Sequence, residues 1–166
     1  MTSQNFLVRP QLYASKEKRF INMIIDVIGY YLLTFIVGII FGLFALIGFE
    51  APLNLIVEMD RIGELIFGIL ISLTYFVTFE VLTQKSLGKL ITKTKVVLED
   101  GSKPTAKDIF LRSLCRFIPF EIFSFLGEEG RGWHDSISET YVVDEAKFNA
   151  KKITETELDL IGKSIE

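Results

Sequence analysis

Residues 27–49 read VIGYYLLTFIVGIIFGLFALIGF, a run of 23 residues without a charged side chain. A helix needs about 20 apolar residues to cross ~30 Å of hydrocarbon, so this run is long enough to span a membrane. A cleavable signal peptide would have a shorter apolar region followed by small residues. No other segment is amphipathic and large enough to bury the run inside a soluble protein. The run therefore predicts a retained transmembrane helix.

A second apolar run covers residues 65–79 and has 15 residues without a charge. Alone it could be a buried helix. Extended to about 62–84, it forms a complete span that carries Glu64 and Glu80 near its ends. We therefore predict an α-helical integral membrane protein whose two transmembrane helices, at about 20–49 and 62–84, form a hairpin.

The basic residues predict the orientation of this hairpin. Four Lys or Arg residues precede the first span, one lies between the spans, and six follow the second span up to Lys107. Cytoplasmic loops carry the excess of basic residues in membrane proteins. We therefore expect a multi-pass protein with the N-terminus and the segment after the second span in the cytoplasm.

The segment after the second span is expected to contain two strands and a third helix. Alternating β-branched residues over 91–97 predict a strand, and residues 138–143 predict another that could pair with it through Thr94–Leu98. Thr105 and Asp108 have the spacing of a capping box, which begins a helix at Ala106. This third helix, about 105–126, has charges on one face and is expected to lie in the membrane plane or re-enter, with a true span as the open alternative.

Composition narrows the function classes. The chain has 166 residues, of which 49% are hydrophobic, and a mean hydropathy of +0.39, which is high for a soluble domain. A net charge of −3 gives no reason to expect nucleic-acid binding. One cysteine and one histidine cannot form a zinc site of the usual spacing. Without a recognisable catalytic set, we expect neither an enzyme nor a cofactor.

Two carboxylates are predicted inside the spans. By helical rise, Asp26 lies about 9 Å and Glu80 about 6 Å from the cytoplasmic ends of their spans. Ionisable residues at such depth are costly and are candidates for function, here the exchange of an ion or a proton. The structural alternative is that Asp26 pairs with Arg19, seven residues before it, or with Arg116 and only fixes helix packing.

Basic residues near the same boundary are the predicted counter-ions for these carboxylates. Arg112 and Arg116 lie four residues apart on one face of the third helix, and Arg19 begins the first span. We expect Arg19, Asp26 and Arg116 to form a cluster that either Glu80 or Asp135 completes.

Four stretches, in this order, resemble the RDD family of bacterial membrane proteins. They are ASKEKRFINMIID at 14–26, KSLGKLITKTKVVLEDG at 85–101, LRSLCRF at 111–117 and WHDSISETYVV at 133–143. The family is named for one arginine and two aspartates, which the resemblance maps onto Arg19, Asp26 and Asp135. It implies a membrane domain at 1–144, followed by a polar tail at 145–166. Many relatives have a further hydrophobic stretch between the positions of Pro119 and Trp133, and this chain has only a short segment there.

The resemblance implies a protein of the bacterial cytoplasmic membrane, with transport as one suggested role. The leading hypothesis is a transport-related protein, coupled to protons or cations. Two or three spans cannot easily enclose a pathway, so this hypothesis requires a homo-oligomer. Gly38 and Gly42 form a G-x-x-x-G spacing that fits either packing against Gly68 within the chain or dimerisation. The alternative is a non-transporting anchor or assembly module that binds a protein partner in the cytoplasm. Transport predicts a polar cavity that reaches Asp26, and the alternative predicts that a salt bridge seals it.

Overall fold

The computed structural model describes residues 6–127 and 131–164. The chain is mostly helical and has one small sheet. The elements are α1 (Lys16–Leu46), α2 (Ala51–Val57), α3 (Arg61–Thr83), α4 (Leu87–Thr92), β1 (Thr94–Leu98), α5 (Ala106–Cys115), α6 (Trp133–Ile137), β2 (Thr140–Asp144) and α7 (Glu145–Ser164). Short 3-10 turns occur at Pro10–Leu12 and Glu121–Leu126.

The helices α1 and α3 are long and apolar enough to cross a membrane. Ser15 caps α1 by accepting a hydrogen bond from the backbone N–H of Lys18, and Asp60 caps α3 by accepting one from Gly63. The most apolar 18-residue stretches of the two candidate spans have mean hydropathies of 2.3 and 2.1. Only 6% and 22% of the residues in these stretches are buried. The core helix of a soluble protein would be mostly buried. The two predicted spans are therefore present as candidate spans, with α1 shifted towards the N-terminus of the predicted 20–49.

The two predicted strands pair as expected. β1 and β2 are antiparallel, with Thr94 opposite Asp144 and Leu98 opposite Thr140. The first strand, however, begins at Thr94 and not at residue 91. Residues 87–92 form α4 instead, and Lys93 ends this helix in the left-handed region at φ 55°.

Close backbone packing against α1 explains why α4 overrides the β-branched pattern. At Gly88, an added Cβ would lie 2.4 Å from the carbonyl oxygen of Asn22 and 2.7 Å from its Cα. Only glycine allows the two helices to approach so closely. This contact depends on the helical conformation of residues 87–92, which the local alternation of residue types does not reveal.

The third helix is shorter than predicted. The capping box of Thr105 and Asp108 is present, but α5 ends at Cys115 and a 3-10 turn occupies residues 121–126. Ten residues rise only about 15 Å, half the thickness of the hydrocarbon layer. The strands before and after α5 belong to one sheet, so the chain returns to the side from which it left. Among the described residues, only α1 and the helical segment that begins with α3 are long and apolar enough to cross a membrane, and α5 is not.

The N-terminal segment and α7 complete a small lobe around the sheet. The backbone N–H of Ala14 donates to the carbonyl of Val142 at 2.9 Å. The core of the lobe consists of Val8, Leu12, Val97, Val143 and Phe148. The polar tail after residue 144 is helical: α7 begins at Glu145 and runs to Ser164, and Phe148 in its first turn packs in this core.

The Gly88→Ala variant tests the contact between α1 and α4. The added methyl group would overlap the backbone of Asn22, and we expect a loss of about 1–3 kcal/mol in the free energy of unfolding, the usual range for overpacking. The measurement is thermal unfolding in detergent. Gly127→Ala is the control, because an added Cβ there makes only an ordinary contact, 3.5 Å from the carbonyl oxygen of Ser124. Equal stability of the two variants would contradict the close approach.

Candidate functional site

A cavity of about 500 Å³ lies between α1 and α3, and α4, α5 and α6 contribute to its inner end. Its apolar wall comes mainly from the two long helices. Its charged lining residues are Arg19, Asp26, Glu64, Lys89, Arg112, Arg116 and Glu121. The cavity therefore brings together most of the charged residues that the sequence singled out, and it reaches Asp26.

Asp26 is buried, with 3% of its surface exposed. Its Oδ1 accepts hydrogen bonds from the Tyr75 hydroxyl at 3.0 Å and from the Gly88 backbone N–H at 2.8 Å, and its Oδ2 accepts one from the Ser86 hydroxyl at 2.6 Å. Ser86 and Gly88 belong to the start of α4, where a carboxylate interacts favourably with free backbone N–H groups. These bonds tie α1 to α3 and α4.

The predicted ion pairs of Asp26 are wrong. Within residues 6–127 and 131–164, neither Arg19 nor Arg116 forms a salt bridge with it, and its hydrogen-bond donors are all neutral. The sequence placed these groups at the correct depth but could not place them around the helix axes. Each arginine instead contacts a different carboxylate.

Glu80 is fully buried and is held by three cations. Lys89 Nζ donates to its Oε1 at 2.7 Å and Arg116 Nη2 donates to the same oxygen at 3.2 Å. Arg112 Nε lies 3.2 Å from Oε2, close enough for an ion pair but without hydrogen-bond geometry. Arg112 and Arg116, which we predicted as counter-ions, both lie beside this carboxylate. A carboxylate held so tightly is poorly suited to release and rebind an ion.

Asp135 is the second fully buried carboxylate. Arg19 Nη2 and Arg112 Nη1 donate to its two oxygens, and the Gly132 N–H donates to Oδ2 at 3.0 Å. Although burial opposes its charge, Arg112 and Arg19 outweigh this effect and hold the pKa of Asp135 well below its usual range. Arg112 also donates to Thr140 Oγ1 at 2.8 Å. The cluster in the structure is therefore built around Glu80 and Asp135, with Arg112 between them, and Asp26 has no ion pair within it among the described residues.

His134 lies between two buried carboxylates. Its Nδ1 atom contacts Glu121, and its Nε2 atom lies 3.3 Å from Oδ1 of Asp135. Burial is the main reason that the pKa of His134 falls to about 4, with Arg112 nearby acting in the same direction against the attraction of Asp135. The ring is therefore neutral at pH 7, and its contact with Glu121 is a neutral N–H donating to a carboxylate.

Sequence reasoning missed four contributors to the site: Tyr75, Ser86, Gly88 and Lys89. The last three lie in the stretch KSLGK, which carried part of the family resemblance without a role of its own. Serine is preferred at the position before a helix, and Ser86 occupies that position, although its hydroxyl donates to Asp26 and does not cap the helix. No group of three His, Cys, Asp or Glu residues suited to a metal ion occurs in the described part of the chain.

The family comparison agrees with the residue pattern. The model of the RDD family matches residues 13–139, which include every charged residue of the cavity and both fully buried carboxylates, Glu80 and Asp135. No curated protein and no solved structure matches the chain.

The single histidine predicts a pH dependence of stability. Its pKa is about 4 in the folded chain, against about 6.5 when unfolded. The unfolded state therefore binds the extra proton between these values, so stability is full above pH 6.5 and falls as the pH drops towards 4. The loss is on the order of 3 kcal/mol. Thermal unfolding in detergent between pH 4.5 and 7 measures it.

His134→Gln is the control for this prediction, because the chain has no other histidine. The variant should lose most of the slope in this pH window. An unchanged slope would show that other groups cause the pH dependence.

Proposed function

The chain belongs to the RDD family, and from this premise we propose that it is a small transport-related protein of the bacterial cytoplasmic membrane. In this proposal Asp26 binds and releases a proton or a cation during transport. The proposal includes no enzymatic step and no cofactor. A homo-oligomer provides the pathway, since two spans are too few to enclose one.

The observation that carries the proposal is the state of Asp26. It lines the cavity, and within the described residues it has only neutral hydrogen-bond donors. Glu80 and Asp135, by contrast, each contact at least two cations. A carboxylate within a span and without a fixed counter-ion is the group best suited to take up a proton or a cation. We therefore assign the exchange role to Asp26 and not to Glu80.

The alternative function is an anchor or assembly module that binds a protein partner. It required a salt bridge that seals Asp26, and the contacts of Asp26 do not include one. The hydrogen bonds from Tyr75, Ser86 and Gly88 nevertheless give Asp26 a structural role as well. A test of transport must therefore separate the loss of charge from the loss of these bonds.

The free face of α1 supports oligomerisation. An added Cβ at Gly38 or Gly42 meets nothing within 4 Å among the described residues, whereas Gly68 faces the Tyr30 hydroxyl at 3.1 Å. The two glycines of the G-x-x-x-G spacing are therefore not used for packing within the chain. They leave a smooth strip on α1 against which a second copy can approach closely.

The Asp26→Asn variant tests the proposed exchange site. Asparagine has the same shape, and its oxygen can accept from Tyr75 and Gly88 while its NH₂ donates to the Ser86 hydroxyl. We therefore expect a folded protein with a thermal unfolding midpoint close to that of the wild type, but without coupled flux. The assay is proteoliposomes with an internal pH indicator and imposed gradients of protons, Na⁺ and K⁺.

Glu50→Gln is the matched control, because it removes an exposed carboxylate outside the cavity. It should keep full flux. Wild-type flux in Asp26→Asn would exclude Asp26 as the exchange site. Absence of flux in the wild type under every gradient would favour the anchor or assembly role.

The proposed topology has both ends of the α1–α3 hairpin in the cytoplasm. Cys115 is buried and can be replaced by alanine to give a background without cysteine. In intact cells, a membrane-impermeant thiol reagent should label Asn54→Cys and miss Lys107→Cys, both of which are exposed positions. After lysis both should react. Labelling in the opposite sense would reverse the orientation.

A further inference from the structure

We propose that the cavity between α1 and α3 binds one anionic phospholipid of the surrounding membrane. Its phosphate would lie at the cationic end, beside Arg116, and one acyl chain would lie along the two helices. This inference goes beyond the proposed transport role and holds whether or not the chain transports an ion.

The cavity has the two-part chemistry of an amphiphile site. Its length is lined by apolar side chains from α1, α3 and the end of α5: Met23, Val27, Leu65, Ile69, Phe76 and Phe117. Its inner end is lined by the cations Arg19, Lys89, Arg112 and Arg116. A free ion would leave the apolar part of the cavity unfilled. A purely apolar ligand would leave the cationic end without an anion.

The dimensions suit an acyl chain of one leaflet. The lining residues of α3 run from Glu64 to Phe76, about 18 Å by helical rise, and those of α1 run from Arg19 to Tyr30, about 16 Å. One leaflet of hydrocarbon is about 15 Å thick. A volume of about 500 Å³ lies within the usual range for ligand sites.

The cavity is accessible from the side on which lipid would lie. Three of its apolar lining residues keep much of their surface exposed: Val27 at 45%, Leu65 at 64% and Phe117 at 40%. A lipid chain could therefore enter sideways between the helices without passing through the protein.

Arg116 is the cation that remains available to a phosphate. Lys89 and Arg112 donate to buried carboxylates through their charged groups. Arg116 donates to Glu80 only through Nη2, and its guanidinium lies 4.0 Å from the centre of the Phe76 ring. Its side chain keeps 20% of its surface exposed, whereas those of Lys89 and Arg112 keep 4% and 1%. Guanidinium groups bind phosphate oxygens through paired N–H groups.

The charge at this end favours an anionic headgroup over a neutral one. Four cations line it, against the two carboxylates of Asp26 and Glu121. Glu121 already accepts hydrogen bonds from His134 and Ser124. Glu80 and Asp135 lie behind the wall, so the cavity itself presents the positive side of the cluster.

The test is lipid binding by the purified wild-type chain, measured by native mass spectrometry and by thermal unfolding in a neutral detergent. Phosphatidylglycerol should bind at one molecule per chain and raise the unfolding temperature. Phosphatidylcholine, diacylglycerol and inorganic phosphate should each bind at least about tenfold more weakly. Equal binding of phosphatidylcholine or diacylglycerol would overturn the anionic headgroup. Equal binding of inorganic phosphate would overturn the lipid and leave a phosphate site.

Two variants locate the site. Arg116→Gln should weaken phosphatidylglycerol binding about tenfold, but it also removes a partner of Glu80 and could lower stability. Val27→Trp therefore tests the other end independently, by filling the apolar length without touching the charges, and it should weaken binding to a similar extent. Arg131→Gln is the matched control, because Arg131 does not line this cavity, and it should bind normally. Normal binding by both cavity variants would overturn the proposal even if the transport experiment succeeded.

Discussion

Arg112 lies between two fully buried carboxylates, Glu80 of α3 and Asp135 of α6, and contacts both. A charge removed from water must find an opposite charge and hydrogen bonds, because its desolvation costs several kcal/mol. Arg112 therefore depends on both carboxylates, each of which has further cations: Lys89 and Arg116 at Glu80, and Arg19 at Asp135. These pairs hold α3, α5 and α6 in one arrangement, and Arg19 adds α1 to it through Asp135. Removing either carboxylate leaves buried cations without their opposite charge, which typically costs about 3–5 kcal/mol.

This arrangement joins the long helices to the small lobe. Ion pairs at the periphery strengthen the connection, since Lys18 of α1 contacts Asp144 at 2.6 Å and Lys85 contacts Glu145 at 2.8 Å. These outer pairs are partly exposed and each contributes little. The lobe is therefore fixed to the helices mainly by the buried cluster, and the cavity lies where the two parts meet.

The sequence was sufficient to predict the elements that are marked by a local pattern of residue types. Apolar runs identified α1 and α3, the capping box identified the start of α5, and residue types identified both strands. It was not sufficient for the partners of the charged groups. Depth follows from helical rise, but the direction in which a side chain points around its helix depends on neighbours such as α4, which had been assigned to a strand. The sequence therefore predicted arginine partners for Asp26. In the fold, Asp26 instead accepts hydrogen bonds from Tyr75, Ser86 and Gly88.

The pairing of Arg19 with Asp135 joins residues 116 positions apart. A ribosome adds about 5–20 residues per second, so Arg19 is made on the order of 10 s before Asp135. The N-terminal segment can pair with β2 only after a similar delay, because Ala14 hydrogen-bonds to Val142. During synthesis, the beginning of α1 must therefore stay hydrated or be held by other factors until Asp135 and β2 have been made. The buried cluster can close only after that point, although α1 is the first of its helices to be synthesised.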